Sequence, residues 1–247
     1  MVQAAGTQSI TAALLVIGDE ILSGRTKDKN IGHIAERLTE VGVDLREVRV
    51  VSDVEEDIVA ALNALRSRYS YVFTTGGIGP THDDITADAV AKAFGVGIDV
   101  DPRARAMLLE YIAEADLNPA RLRMARVPDG AELIVNTVSK APGFRVDNVF
   151  VMAGVPRIMQ AMLEAIIPTL STNAPMLSAT VLANAKEGDI AAPLGAIATR
   201  HPDVSIGSYP FLSDSGPNTN IVVRSRDAGR MELVRDEVAA MLKALNV

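Results

Sequence analysis

An unbroken apolar run over residues 12–17 stops at Gly18-Asp19-Glu20, the pattern of a buried strand opening into a polar loop. From Asp28 the period changes: Ile31, Ile34, Ala35, Leu38 and Val41 recur with helical spacing until Gly42 stops them. Residues 45–51 alternate and are rich in valine, which predicts a second strand. Ser52-Asp53 then leads into a helix with Val54, Ile58, Ala61, Leu62 and Leu65 on one stripe. Residues 71–74 predict a third strand that runs straight into Thr75-Gly76-Gly77-Ile78-Gly79-Pro80. A helix with Ala89, Val90, Ala93 and Phe94 on its apolar face follows, capped by Asp84 or Thr86. Pro102 suits the first turn of another helix, running through Met107, Leu108, Tyr111, Ile112 and Ala115. Residues 132–135 and 149–152 read as strands. The second leads through Ala153-Gly154-Val155-Pro156 into a helix bearing Ile158, Met159, Met162, Leu163, Ile166 and Ile167.

Strands that alternate with helices of crossover length predict an α/β domain over residues 11–170, its mostly parallel sheet covered on both faces as three layers. The loops at Gly18, Gly76 and Gly154 each follow a strand. All three therefore belong to the carboxyl edge, where open α/β sheets bind ligands. Ser171-Thr172-Asn173-Ala174-Pro175 is linker-like. Residues 177–247 differ in kind: a strand at 177–182, a helix at 187–198, strands at 204–209 and 220–223 joined through Ser215-Gly216-Pro217-Asn218, and a helix at 228–245. This β-α-β-β-α order predicts a second, small α+β domain.

Composition narrows the chemistry. The 247 residues are 48% hydrophobic, enough to build a core, and include no cysteine, which removes disulfides, thiolate nucleophiles and Cys-ligated zinc. The three histidines, His33, His82 and His201, are scattered. A net charge of -7 argues against a nucleic-acid partner, since no basic stretch is available to replace counterions. A small phosphorylated ligand remains open, because backbone N–H groups hold phosphate without a basic surface. Residues 1–10 lack a basic start followed by an apolar core, and no run approaches a membrane span, so a cytoplasmic protein without a membrane partner is expected.

Gly76, Gly77 and Gly79 remove side chains from a short loop, which permits a tight turn and lets a ligand approach backbone N–H groups. Thr74, Thr75 and Thr81 add hydroxyls. The loop matches neither the dinucleotide fingerprint nor the lysine-containing P-loop. Asp83 and Asp84 are adjacent and diverge from a helix start. Either Asp84 caps the helix while Asp83 faces solvent or a metal, or Asp84 reaches the ligand. With Asp19, Glu20 and Asp53 they offer oxygen ligands suited to Mg²⁺ or a similar divalent metal bridging phosphates, and without a cation they would repel an anion. Asp53 has an alternative as the cap of the 54–66 helix. Arg25, Lys27, Lys140 and Arg157 are the nearby cations, and Lys140 lies in a polar loop long enough to cover a pocket.

Four motifs occur in order: Leu15 to Gly24 with Asp28 and Asn30, Thr74 to Thr86, Ala141-Pro142-Gly143-Phe144, and Gly154-Val155-Pro156-Arg157-Ile158-Met159. Together they resemble the competence/damage-inducible protein A family over residues 11–168, and residues 177–245 resemble its small second domain. Longer members carry a C-terminal amidohydrolase domain that deamidates a pyridine nucleotide; the resemblance does not extend to it, and that activity is not expected here. The first domain of the family is similar to the molybdopterin-binding fold of the MoaB/Mog type, shared with molybdopterin adenylyltransferases and the N-terminal half of eukaryotic FAD synthases.

The resemblance places functional aspartates of the adenylyltransferases at Asp53 and Asp84, favouring Asp84 over Asp83 at the ligand. With the chemistry of the residues themselves, Asp84, Asp53 and Asp19 are the candidate catalytic residues and Asp19, Glu20 and Asp84 the candidate metal ligands. The candidate ligand contacts are Gly18, Glu20, Asn30, Thr75, Gly76, Gly77, Gly79, Thr81, Lys140, Gly154 and Pro156. A nucleotide or molybdopterin ligand, metal-dependent hydrolysis of an ADP-ribose-like pyrophosphate, and a homo-oligomer (dimer or trimer) follow as expectations. Adenylyl transfer to molybdopterin and a non-catalytic binding module are the alternatives. Ser139-Lys140 stands where relatives usually have Gly-Thr, a departure that bears on the identity of the ligand.

Overall fold

A computed structural model describes residues 9–213 and 216–247. Most of the 1–10 segment judged for a secretory signal, and Ser215 in the expected hairpin turn, lie outside them. The chain divides between Asn173 and Ala174 into two units, each with its own core.

The first unit runs β1 (Thr11–Ile17), α1 (Asp19–Leu22), α2 (Asn30–Glu40), β2 (Asp44–Val51), α3 (Glu55–Arg66), β3 (Tyr71–Thr75) and α4 (Thr86–Phe94). It continues with β4 (Ile98–Val100), α5 (Pro102–Leu109), α6 (Pro119–Leu122), β5 (Arg126–Pro128), β6 (Glu132–Ile134), β7 (Gly143–Val146), β8 (Val149–Met152) and α7 (Pro156–Ile166). Its six-stranded sheet has the order β2-β1-β3-β8-β7-β6. The first four strands are parallel, and β7 and β6 close one side antiparallel. The unbroken apolar run of β1 has its physical reason in this position, since a central strand is covered on both faces. Ala13, Leu15 and Ile17 pack with Ile58, Leu62 and Leu65 of α3 and with Ala89 and Val90 of α4. The alternate residues Ala12, Leu14 and Val16 pack with Ile34 and Leu38 of α2 and with Met159 and Leu163 of α7. The unit is thus three-layered. From β1 the chain crosses to β2 on one side and then to β3 on the other, which places a topological switch point between the carboxyl ends of β1 and β3.

Two expectations change. The helix from Pro102 ends at Leu109 instead of continuing to residue 115; the chain turns so that Ile112 and Leu117 both reach the core while Tyr111 faces solvent. The short strands β4 and β5 pair with each other, too brief to leave a readable period.

The second unit, α+β in kind, contains β9 (Leu177–Ala183), α8 (Glu187–Arg200), β10 (Ser205–Ser213), β11 (Gly216–Ser225) and α9 (Ala228–Leu245). Its antiparallel sheet has the order β10-β11-β9. Ile190, Leu194 and Ile197 of α8 pack with Val234, Val238 and Leu242 of α9 over Ile221 and Val223. The hairpin is longer than predicted, and Gly216, Pro217 and Asn218 belong to β11, not to the turn. Pro210, Phe211 and Leu212, beyond the strand predicted to residue 209, are all exposed, so no alternation marks them as strand; pairing with β11 carries them. Among the described residues no helix is long and apolar enough to cross a membrane.

Candidate functional site: a cleft at the carboxyl edge of the sheet

The loops after β1, β3 and β8 meet backbone to backbone, and glycine is what lets them. A Cβ on Gly76 would land on the Ile17 carbonyl oxygen, and one on Gly154 would sit 3.3 Å from the Gly76 Cα. Gly77 has φ 64°, and a Cβ there would collide with the Thr86 hydroxyl. That collision marks a built contact. Buried Thr86, the first residue of α4, donates its hydroxyl to the Gly76 carbonyl at 2.9 Å and its N–H to the Gly77 carbonyl at 3.0 Å. The loop carbonyls are thereby held against α4. The N–H groups of Gly77, Ile78 and Gly79, three in succession, are left without a protein acceptor among the described residues.

These loops line a cleft of about 710 Å³, within the range of small-molecule sites. Of the predicted residues, Gly18, Glu20, Asp53, Gly76, Gly77, Gly79, Asp84, Gly154 and Pro156 line it. Asp19, Asn30, Thr75, Thr81 and Lys140 do not, and each has a traceable place. The Asp19 N–H donates to the Asp53 carboxylate at 2.9 Å, which fixes the start of α1. Asp53 therefore holds the β1 loop and does not cap α3. Buried Asn30 donates to the Gly154 carbonyl at 2.8 Å, tying α2 to the β8 loop. Thr75 is buried at the end of β3. Thr81 donates both its N–H and its hydroxyl to the Asp84 carboxylate. Asp84 thus closes the 81–84 turn and does not cap α4, whose first residue lies two positions later. Lys140 adopts φ 63° and pairs with Glu110 at 2.8 Å, while its neighbours Ser139 and Ala141 line the cleft.

The comparisons with known proteins bear on this geometry. Residues 13–172 match the model of the probable molybdopterin binding domain. The chain belongs to that family. Residues 175–247 match the middle domain of FAD synthase. A Thermococcus kodakarensis protein is 34% identical over 236 residues, covering 90% of this chain and 93% of its own. A CinA-like protein of Desulfosudis oleivorans is 38% identical over 168 residues, 65% of this chain and 41% of that one. The crystal structure of the protein CinA from Thermoplasma acidophilum superposes with a TM-score of 0.62 at 36% identity, covering 65% of this chain and 98% of that one.

In this molybdopterin-binding domain the electrostatics are mixed. Glu20, Asp53, Asp83 and Asp84 face the cleft alongside the single guanidinium of Arg25. Burial pushes the Asp53 carboxyl above the usual range, and the charges of Asp19, Glu20 and Asp83 push the same way, against the Asp19 N–H. The amino end of α7, with Pro156 in its first turn, also lines the cleft and favours an anion. The expected metal set of Asp19, Glu20 and Asp84 is not assembled. Among the described residues no three His, Cys, Asp or Glu side chains come together as a metal-ligating group. The Asp84 oxygen is committed to Thr81, and Asp19 lies outside the cleft lining. The donor set does not by itself fit a protein-held cation.

Sequence reasoning missed three contributors. Thr86 shapes the glycine loop, Met124 lines the cleft, and Arg123 donates to the Asp84 carbonyl at 3.1 Å. Thr86 was legible only as a cap candidate. Arg123 and Met124 sit in a stretch with no readable period, in a turn that packs against α5 and β4.

Proposed function

We propose that the first unit holds a small phosphorylated ligand of the molybdopterin or nucleotide class, its phosphate on the N–H groups of Gly77, Ile78 and Gly79. The three N–H groups without acceptors carry this reading, because consecutive free backbone N–H groups at the wall of a cleft are donors that an anionic ligand can take up. Arg25 and the amino end of α7 supply further positive potential, and Asp84 keeps the loop closed through Thr81. Family membership supports the ligand class. The reading is of a ligand-binding protein, with adenylyl transfer as the reaction that family supports. Metal-assisted cleavage of a pyrophosphate would need a cation held by these acids, and among the described residues no such donor set is assembled.

Titration with molybdopterin and with ADP-ribose, followed by product assays with and without Mg²⁺, tests the proposal. Saturable binding of either ligand that Gly77→Ala weakens by an order of magnitude or more supports it. Binding without turnover identifies a binding module, and AMP released only with Mg²⁺ restores the hydrolase. The absence of any binding to either ligand would sink the reading. Association into a dimer or trimer is proposed with it and is read directly by sedimentation.

A further inference from the structure

Against the glycine loop lies a second, much smaller chamber of about 20 Å³, room for one water molecule. Gly77, Ile78, Gly79, Asp84 and Met124 line both spaces, so the glycine loop is shared lining of the cleft and the chamber. Two arginines, Arg123 and Arg126, line the chamber and not the cleft. Arg126 is spent on Asp88 through two bonds of 2.9 and 2.6 Å. Arg123 is not so matched. Its terminal nitrogen donates to the neutral carbonyl of Asp84, its Nε is buried without a partner, and no carboxylate lies within ion-pair distance among the described residues. A half-buried guanidinium left in that state is unfavourable, because burial disfavours a charge that nothing offsets.

We infer that Arg123 is a second cation of the phosphate site in addition to Arg25, placed against the loop whose N–H groups meet the phosphate. This rests on the reading that phosphate docks on Gly77, Ile78 and Gly79. The guanidinium fixes the Asp84 carbonyl, and with it the closed turn, while its charge acts across a loop that carries no side chains at Gly77 and Gly79. Ala87 and Asp88, in the first turn of α4, also line the chamber, so the positive end of that helix adds to the same potential. The four acids in the cleft then have an opposing charge that does not compete for space with the ligand. Arg123 is a positioning and charge-supplying residue; it is not placed against reacting atoms.

The test uses the full chain and inorganic pyrophosphate as the probe, with calorimetric affinity and thermal melting as paired readouts. Arg123→Gln keeps donors for the Asp84 carbonyl and removes the charge. It is expected to weaken pyrophosphate binding by about tenfold, to flatten the salt dependence of binding, and to leave the ligand-free melting temperature equal or higher. Arg123→Lys keeps the charge and is expected to stay within about threefold of the parent. A merely structural arginine would give the opposite pair: a lower melting temperature with unchanged affinity. Unfolding of the glutamine variant, or an equal loss in both variants, overturns the charge role. If the parent chain itself fails to bind pyrophosphate, the phosphate reading fails first and takes this inference with it. Parent binding with an unaffected glutamine variant overturns the inference alone.

Discussion

Gly77 and Gly24 share a left-handed backbone, φ 64° and φ 72°, but not a neighbourhood. The missing Cβ of Gly77 points at the Thr86 hydroxyl, whereas a Cβ on Gly24 meets nothing within 4 Å. Alanine at either position pays the left-handed backbone penalty of roughly 1 kcal/mol. At Gly77 it must also displace Thr86 from the Gly76 carbonyl, for a total of roughly 2–3 kcal/mol. Urea unfolding of the two variants side by side checks the difference; equal losses would mean the Thr86 contact contributes nothing. Asp53 offers a second test with a definite sign. Its folded pKa is raised, so the protonated acid favours folding at low pH, and that contribution is lost as pH rises through the folded value. Asp53→Asn retains an acceptor for the Asp19 N–H and removes the charge. The ligand-free variant is expected to melt above the parent at pH 7, with the gap closing toward pH 3. A variant that melts lower at pH 7 would show that the carboxylate stabilises the β1 loop as an ion.

Among the elements, α5 shows how local chemistry sets a boundary. Asp101 accepts from the N–H of Arg103 at 2.7 Å and of Ala104 at 3.4 Å, with Pro102 in the first helical turn. Removing the cap with Asp101→Ala is expected to cost about 1 kcal/mol in chemical denaturation. The Arg103 guanidinium holds the Asp101 carboxyl below its ordinary range, so the loss should shrink as pH falls below the unfolded value. The start of this helix was readable because Pro102 marks a first helical turn in the sequence; its end was not, because core contacts of Ile112 and Leu117 decide it. The same division holds elsewhere. β1, α2, α3 and α7 were legible since burial on two faces or one stripe leaves a period. The outer half of β10 was not, being exposed on both faces and carried by its pairing with β11. In the cleft, the glycine loop announced itself through composition. Which acid closes it was decided by Thr81, and the convergence of three loops required the strand order.

On the scale of the whole molecule, the two units keep their cores separate in sequence. The first draws on residues up to Leu170 and the second on residues from Val181 onward. The second is therefore expected to fold when residues 174–247 are expressed alone, with a cooperative melt followed by circular dichroism. Its charges give that experiment a pH signature. Arg230 grips Asp203 through two bonds of 2.8 Å and lowers the Asp203 pKa to about 2. The same guanidinium lies 3.1 Å from Nδ1 of His201, whose Nε2 lies 2.7 Å from Glu237 on α9. A depressed carboxyl contributes stability that is present above its unfolded pKa, near 3.9, and is lost as pH falls toward 2. Asp203→Asn should lower the melting temperature of the 174–247 fragment at pH 7 and leave it unchanged near pH 2. In the full chain the same substitution should leave pyrophosphate affinity intact, because none of the cleft-lining residues belongs to the second unit. A change in that affinity would show that the two cores, separate in sequence, are coupled in energy.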